Sequence, residues 1–392
     1  MTAVVDTAAP GAGGAARPPR VLLVAGEASG DMHGGDLVQA LRTLVPRVEV
    51  RGIGGPRLRA AGMETIVDAA SIATMGFLEA RERLGAVVRA YRTMRSLLRT
   101  DPPDLLVLID FAEFNLALAG VAHRRGVPVL YYISPQVWAW RRRRIRKIAR
   151  RVDRLAVVFP FEAALYAGTG ARAEFVGHPL LDRVRPTRPR AETLARHGLD
   201  PTKRLIALLP GSRVKEMHLI LPAMADAAAR LVARGDTQCA LALADTLSHA
   251  DIAATMRGRP LPATVVEGDT YDLVHASEIA LVASGTATLE TALLERPMVI
   301  VYRVAPLTFA LARRLVSVPF IGMPNLIAGR QVVPELVQNE ATGPRIAAEA
   351  SRLLDDPAAR AATTAALAGL RRELGGGGAA RKAAAIAAEM LA

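Results

Sequence analysis

Three places along the chain carry residues whose types and spacing could do chemistry. The first is Asp110, which ends the run DLLVLID (104–110). A carboxylate at the end of a buried strand lies partly out of water. Desolvation raises its pKa and suits it to general-base work. Glu113 is a second acid close by, and the plainer alternative is that Asp110 caps the following helix. The second place is LLPGSRVKEM (208–217). A strand ends at Pro210 and Gly211, and Ser212, Arg213 and Lys215 open a helix. Free N–H groups and the positive helix end attract an anion there, and Arg213 can grip a phosphate through two N–H groups. An ordinary glycine–serine turn fits the same letters. The third is VASGTATLETALLERP (282–297). Ser284, Gly285 and Thr286 lead into a helix with Glu290 one turn inside. Hydroxyls and backbone donors suit a diphosphate, and the carboxylate suits ribose hydroxyls. The alternative is a capped helix with a solvated Glu290. The second and third loops reinforce each other, because both would open onto one sheet edge.

Other segments are less decisive. AGEASGDMHGGD (25–36) is glycine-rich but is not G-x-G-x-x-G, so the dinucleotide fingerprint fails. Its Glu27, Ser29, Asp31, His33 and Asp36 suit sugar hydroxyls better than phosphate. His33 has no neighbouring ligand cluster, and no metal is expected. SPQVWAWRRRRIRKIARRVDR (134–154) places Trp138 and Trp140 before nine basic residues in fourteen, beginning Arg141, Arg142, Arg143 and Arg144 and including Lys147. Aromatic rings beside arginines suit an anionic lipid surface or a nucleic acid; a solvated helix face is the common alternative. MGFLEARERLGAVVRAYRTMRSLL (75–98) reads as a half-buried helix, with Met75, Phe77 and Leu78 able to dip into a bilayer. In PNLIAGRQVVPELVQ (324–338), Asn325, Arg330 and Glu335 stand among apolar residues, in reach of a ligand or simply solvated.

These residues need a scaffold. Apolar runs of five to seven residues alternate with helical stretches, as in VLLVAG, DLLVLID and VPVLYYIS. That pattern predicts a parallel sheet covered on both faces. After a proline-rich, charged stretch at 183–203 a second series begins with RLIALLPGS and continues through QCALALA, EIALVASG and PMVIVYR. Two consecutive α/β domains follow, and in such sheets ligands sit beyond the carboxyl ends of the strands. The predicted organisation is a flexible tail at 1–18, a first domain at 19–185, a second at 186–345 and helices at 346–392.

Composition agrees with this and excludes other classes. The 392 residues suit two large domains. With 51% hydrophobic and 22% charged residues the chain can build cores and is not disordered. A single cysteine, Cys239, permits neither an internal disulfide nor a multi-cysteine metal site. The most apolar stretch, 297–329, is broken by arginines and prolines, so no membrane span is predicted. The first twenty residues show no secretory signal pattern. The net charge of +13 favours an anionic partner, although an arginine-rich coding bias explains the total equally well.

Taken together, AGEASGDMHGGDL, GIGGPRLRAAGME, MGFLE, SPQVWAWRRRR, FVGHPLLD, LLPGSR, ASGTATLE and PNLIAGRQVVPELVQ resemble the lipid-A-disaccharide synthase family of bacterial glycosyltransferases. The likeness runs from about residue 20 to the C-terminus. SPQVWAW with its basic run is the specific string; LLPGSR and SGTATLE also suit other transferases. The resemblance implies a glycosyltransferase B fold, two Rossmann-like parallel-sheet domains facing a cleft. It implies a UDP-sugar held by the second domain through Gly211, Ser212, Arg213, Ser284, Gly285, Thr286, Glu290, Asn325, Arg330 and Glu335. The acceptor would meet Glu27, Ser29, Asp31 and Asn115, with Asp110 as catalytic base. Trp138, Trp140, Arg141, Arg142, Arg143, Arg144 and Lys147 would meet the membrane or a phosphate. No cofactor is implied. The implied reaction joins UDP-2,3-diacylglucosamine to 2,3-diacylglucosamine 1-phosphate, at the cytoplasmic face of the inner membrane, by a peripheral protein, with a homodimer left open. Where the family often has I-D-x-P-D-F-N, this chain has IDFAEFN (109–115), which leaves Asp110 the better base. Two other readings remain: a UDP-sugar 2-epimerase of the same fold, which has no use for the Trp–Arg segment, and an anionic-surface or nucleic-acid binder, which does not explain the paired loops. No nucleic-acid partner is expected.

Overall fold

The computed structural model describes residues 17–73, 80–135, 137–138, 144–306, 308–309 and 318–392. The short apolar runs become strands and the segments between them helices. One sheet holds β1 (Arg20–Ala25), β2 (Glu49–Gly54), β3 (Glu64–Asp68), β4 (Leu105–Ile109), β5 (Val129–Tyr132), β6 (Arg154–Val157) and β7 (Arg172–Phe175), in the order β3-β2-β1-β4-β5-β6-β7. A second holds β8 (Arg204–Leu209), β9 (Thr237–Leu243), β10 (Thr264–Glu267), β11 (Ile279–Ala283), β12 (Met298–Tyr302) and β13 (Glu335–Val337), in the order β10-β9-β8-β11-β12-β13. The pairs β1–β2, β1–β4, β8–β9 and β8–β11 are all parallel.

The central strands explain why these sequences fold so. Every residue of β4 and the first four of β11 have no exposed surface. A strand covered on both faces must be apolar throughout rather than alternating, and each such side chain contributes about 1.5–3 kcal/mol on burial. In the second sheet, Ile206 and Leu208 pack against Met217, Ile220, Leu221 and Met224 of the helix Val214–Val232, and against Leu353 and Leu354 of the helix Gly343–Asp355. Cys239 is buried in this same core, which pushes its thiol up to about 12 and leaves it unreactive.

The strand orders fix where ligands can sit. In the first sheet the chain runs outward one way through β1, β2 and β3 and the other way from β4. In the second it does so from β8 and from β11. Connections therefore leave on opposite faces between β1 and β4, and between β8 and β11. A crevice opens there at the strands' carboxyl ends.

By internal contacts the chain divides into two compact units. One is Met1–Tyr132 with Arg151–Arg154 and Ala383–Ala392; the other is Ile133–Arg150 with Leu155–Lys382. The predicted boundary near 185 lies in the connection between β7 and β8, and the contact division does not fall there: residues 155–185 group with the second unit. The predicted C-terminal helices at 346–392 divide between the units. Their last ten residues group with the first, where Glu389 pairs with Arg154 at 3.1 Å. Among the described residues no helix is long and apolar enough to cross a membrane.

Candidate functional site

In the first unit, the loops after β1 and β4 meet at the strand-order reversal. Ala25 lies beside Ile109 in the ladder, so the residues that follow each strand are neighbours. Asp110 and Phe111 both adopt left-handed backbone, at φ 49° and 46°. Such a turn is costly for side-chain-bearing residues and persists only where its surroundings hold it. Here the hold is explicit. Tyr131 Oη donates to the Asp110 carbonyl at 2.6 Å, and Asn115 Nδ2 donates to the same carbonyl at 2.8 Å and to that of Ile109 at 3.1 Å. Gly26 leaves room for the Phe111 ring, which lies 2.4 Å from where a Cβ would stand. The Asp110 carboxyl is half-buried. Burial pushes its pKa up, while the Phe111 N–H and the Ser29 side chain favour the charged form. The result is a partly desolvated carboxylate at a strand end, with a hydroxyl beside it.

Several acceptor residues expected from sequence have other work. Asp31 is buried, and its carboxylate accepts the N–H groups of Gly55 (2.6 Å), Leu58 (3.1 Å) and Arg57 (3.0 Å). It caps the helix Pro56–Ala60 and has little left for a sugar. Asn115 is fully buried behind Asp110, so it positions the turn and does not face an acceptor. Glu27 and Ser29 are exposed at the start of the helix Ala28–Leu44. The sequence reading missed Phe111, which stacks on Phe114 at 4.9 Å, and Tyr91, which meets Phe114 edge-on at 5.7 Å. In a chain with 4% aromatics, two phenylalanines within four residues after the acid were a usable signal.

In the second unit, the loops after β8 and β11 line one cavity of about 650 Å³. Gly211, Ser212, Arg213, Ser284, Gly285 and Thr286 all contribute to it, as does Glu290. The helix Val214–Val232 begins at this wall with Arg213 as its N-cap residue. Gly211 has φ +110°, and a Cβ there would stand 2.2 Å from Glu216 Oε2. Glycine is required on both counts. Glu216 accepts the Ser212 N–H at 3.3 Å, and burial pushes its carboxyl up. Among the described residues no carboxylate lies within ion-pair distance of Arg213, whose charge is therefore available to a ligand. Glu290 accepts a hydrogen bond from Tyr271 Oη at 2.8 Å, and burial raises the pKa of both groups.

Tyr271 also lines the cavity and was not foreseen, nor was Arg188. Arg188 is held by Asp272 (2.8 Å) and Asp269 (3.0 Å). Asp272 in turn accepts the N–H groups of Thr187 and Arg188 at 2.5 and 3.1 Å. The arrangement ties residues 187–188 to the helix Thr270–Ala276, a long-range pairing with no local sequence signal.

Asn325, Arg330 and Glu335 do not line this cavity. Arg330 is exposed elsewhere. Asn325 is fully buried; it accepts from Val332 and Val333 and donates to Val333 O and Glu335 Oε1. Glu335 accepts the N–H groups of Ile321 (2.8 Å) and Gly322 (2.9 Å). Ser284 Oγ then donates to Ile321 O at 3.2 Å. The Asn325–Glu335 pair therefore supports the Ser284 loop from behind.

Trp138 is 6% exposed rather than at a surface. It packs edge-on against Phe161 at 5.2 Å and Phe159 at 6.1 Å. Arg144 is half-buried and Lys147 exposed. Trp140, Arg141, Arg142, Arg143, Met75, Phe77 and Leu78 lie outside the described residues. Among the described residues no group of His, Cys, Asp and Glu is arranged to hold a metal ion.

Comparison with known proteins bears on this geometry. Residues 21–390 match the family model described as lipid-A-disaccharide synthetase. The lipid-A-disaccharide synthase of Geobacter sulfurreducens is 50% identical over 340 residues, 86% of this chain and 88% of that one. The enzyme of that name from Nitrosococcus oceani is 42% identical over 343 residues, 87% of this chain and 89% of that one. Among solved structures, the calicheamicin glycosyltransferase is similar at TM-score 0.60 and 17% identity, covering 95% of this chain and 98% of that chain. A UDP-GlcNAc 2-epimerase from Neisseria meningitidis is similar at TM-score 0.57 and 12% identity, covering 95% and 99%. These last two likenesses concern the fold, a pair of α/β domains of the glycosyltransferase B kind.

Proposed function

The chain belongs to the lipid-A-disaccharide synthase family of glycosyltransferases, and on that premise we propose how its residues divide the work. The donor is UDP-2,3-diacylglucosamine and the acceptor 2,3-diacylglucosamine 1-phosphate. The products are a β-1,6-linked tetraacyl disaccharide 1-phosphate and UDP. Asp110 takes the proton of the acceptor's 6-hydroxyl as that oxygen attacks the anomeric carbon. The bond from that carbon to the diphosphate oxygen breaks, its electron pair leaves with UDP, and the centre inverts. One base suffices, and no sugar–enzyme bond forms.

The observation that carries this reading is the single cavity shared by the loops after β8 and β11. The diphosphate would rest on the backbone donors at Ser212 and at Ser284, Gly285 and Thr286. Arg213 would meet its growing charge, in the way preorganised donors stabilise a leaving group. Glu290, turned by Tyr271, would take ribose hydroxyls. Phe111, backed by Phe114, offers apolar surface beside the base for part of an acylated acceptor.

Acylated substrates partition into bilayers, so the protein would work as a peripheral protein at the cytoplasmic face of the inner membrane. Arg144 and Lys147, with the basic residues around them, would meet anionic headgroups. Release of UDP on incubation with UDP-diacylglucosamine tests the reaction. Release that requires the monosaccharide phosphate supports the transferase. UDP release, or change at the sugar's second carbon, without acceptor points to an epimerase-like enzyme instead.

A further inference from the structure

A second cavity, of about 630 Å³, opens at the opposite edge of the second sheet. Glu278 and Pro297 lie in its wall, and they immediately precede β11 and β12. The cavity therefore sits at the amino ends of strands whose carboxyl ends bear the first. Among the described residues the two cavities share no lining residue.

Its charges do not balance. Among the described residues, three guanidiniums, of Arg190, Arg296 and Arg360, line it against the one carboxylate of Glu278. Arg190 uses that carboxylate, at 3.1 Å. The Arg360 guanidinium donates to the carbonyls of Leu353 (3.3 Å) and Leu354 (2.8 Å), and among the described residues it has no carboxylate within ion-pair distance. Arg296 is the most exposed to this imbalance. Its Nη2 lies 3.4 Å from His275 Nδ1, and among the described residues its buried Nε has no hydrogen-bond partner. Among the described residues no carboxylate is within ion-pair distance of it. Glu278 and Glu295 act on it from farther off, and each is already engaged, with Arg190 and with Arg371 (3.7 Å) respectively. Burial and the nearby Arg190 both weaken its hold on its proton. A half-buried cation without a counter-charge is unfavourable unless an anion completes it. Ala361, Ala365 and Ala368, on the helix Pro357–Glu373 that also carries Arg360, add a largely apolar stretch to its wall.

We propose that this cavity binds a phosphoryl dianion, held by Arg296 and Arg360, with the alanine wall accommodating whatever small organic group carries it. Guanidinium forks match phosphate oxygens in pairs. The volume falls within the roughly 300–1,000 Å³ of small-molecule sites. His275, held neutral by burial and by Arg296, lies against the same guanidinium. It would gain proton affinity when an anion arrives.

Equilibrium dialysis with two probes, inorganic phosphate and AMP, tests the assignment on the whole chain. Arg213→Ala serves as the background, so that the first cavity's phosphate grip is weakened. One saturable site per chain is expected, weakened at least about tenfold by Arg360→Gln and by Arg296→Gln. Ala365→Phe, which fills space without touching a charge, should exclude AMP, and it decides the matter if the Arg296 variant does not fold. AMP binding more tightly than phosphate marks an organic phosphate as the occupant; equal affinities mark free phosphate. Both support the site. Absence of binding up to about 10 mM of either probe, or binding as strong in the folded arginine variants, overturns it.

Discussion

The indole N–H of Trp138 donates to Glu162 Oε1 at 3.2 Å, and the other oxygen of Glu162 accepts the backbone N–H groups of Val158 (3.1 Å) and Phe159 (3.0 Å). Glu162 is 2% exposed, and burial pushes its carboxyl up to about 7. A tryptophan in the most distinctive string of the sequence is thus tied to an acid that titrates near neutrality.

Stability should follow that titration. Between its ordinary value and about 7 the folded chain keeps this proton and the unfolded chain has lost it. Folding is then favoured at low pH, and the contribution fades as pH rises through about 7, by on the order of 3 kcal/mol in the limit. Urea midpoints between about pH 5 and about pH 8 should fall in the native chain and fall less in Glu162→Gln. In Trp140→Phe, which leaves Trp138 as the chain's one indole, emission should change over the same interval. A flat emission profile would remove Glu162 from this role.

Replacing the proposed base has a defined size. Asp110→Asn should lower turnover by roughly 10²–10⁴-fold with unchanged circular dichroism. Ser29→Ala removes a hydrogen bond that favours the charged carboxylate, so the pKa of Asp110 rises further. The acid limb of the kcat/KM profile should move to higher pH. A shift to lower pH, or near-normal turnover in Asp110→Asn, speaks against a base at this position.

Arg213→Ala should weaken UDP binding by about tenfold to a hundredfold, the range of a charged hydrogen bond. Uridine, which lacks the diphosphate, should bind equally well to both forms. Calorimetric titration of the two ligands separates the cases, and an equal loss for uridine would place Arg213 away from the diphosphate.

Asn325→Ala should act on stability before chemistry. The side chain makes four hydrogen bonds in a fully buried place. Its removal leaves backbone donors and a carboxylate under-satisfied, at a cost of about 2–5 kcal/mol. Thermal unfolding should drop by several degrees, while UDP affinity measured well below the transition changes little. A large affinity loss in a folded variant would show that Asn325 acts on the ligand, through the Ser284 loop or directly, and not on stability alone.

Attachment to anionic vesicles should be released by salt. Each basic residue near the surface contributes about 1 kcal/mol, screened within a Debye length. Lys147→Glu should weaken sedimentation with such vesicles at low ionic strength. Salt-resistant attachment points instead to apolar insertion through residues 75–98.

Much was legible in the sequence because it is written locally. LLVLI and IALVA specify strands covered on both faces whatever surrounds them. LLPGSR and SGTATLE specify a strand, a turn and a helix start within a few residues. That is enough to predict two parallel-sheet domains and a pair of anion-ready loops, because backbone geometry and helix ends depend on neighbours in the chain.

What the letters left undecided is which polar side chains remain free, since hydrogen bonds are satisfied across distance. Asp31 looked available to a sugar, yet it is taken up by amides at positions 55, 57 and 58. Glu335 looked like a ligand contact, yet it closes on residues 321 and 322. Trp138 looked like a membrane anchor, yet it packs among Phe159, Phe161 and Glu162. Tyr271 and the uncompensated Arg296 gave no sequence signal, because their meaning comes from partners many residues away. A sequence fixes the inventory of donors, acceptors and charges; only the folded chain decides which of them are already spent on one another.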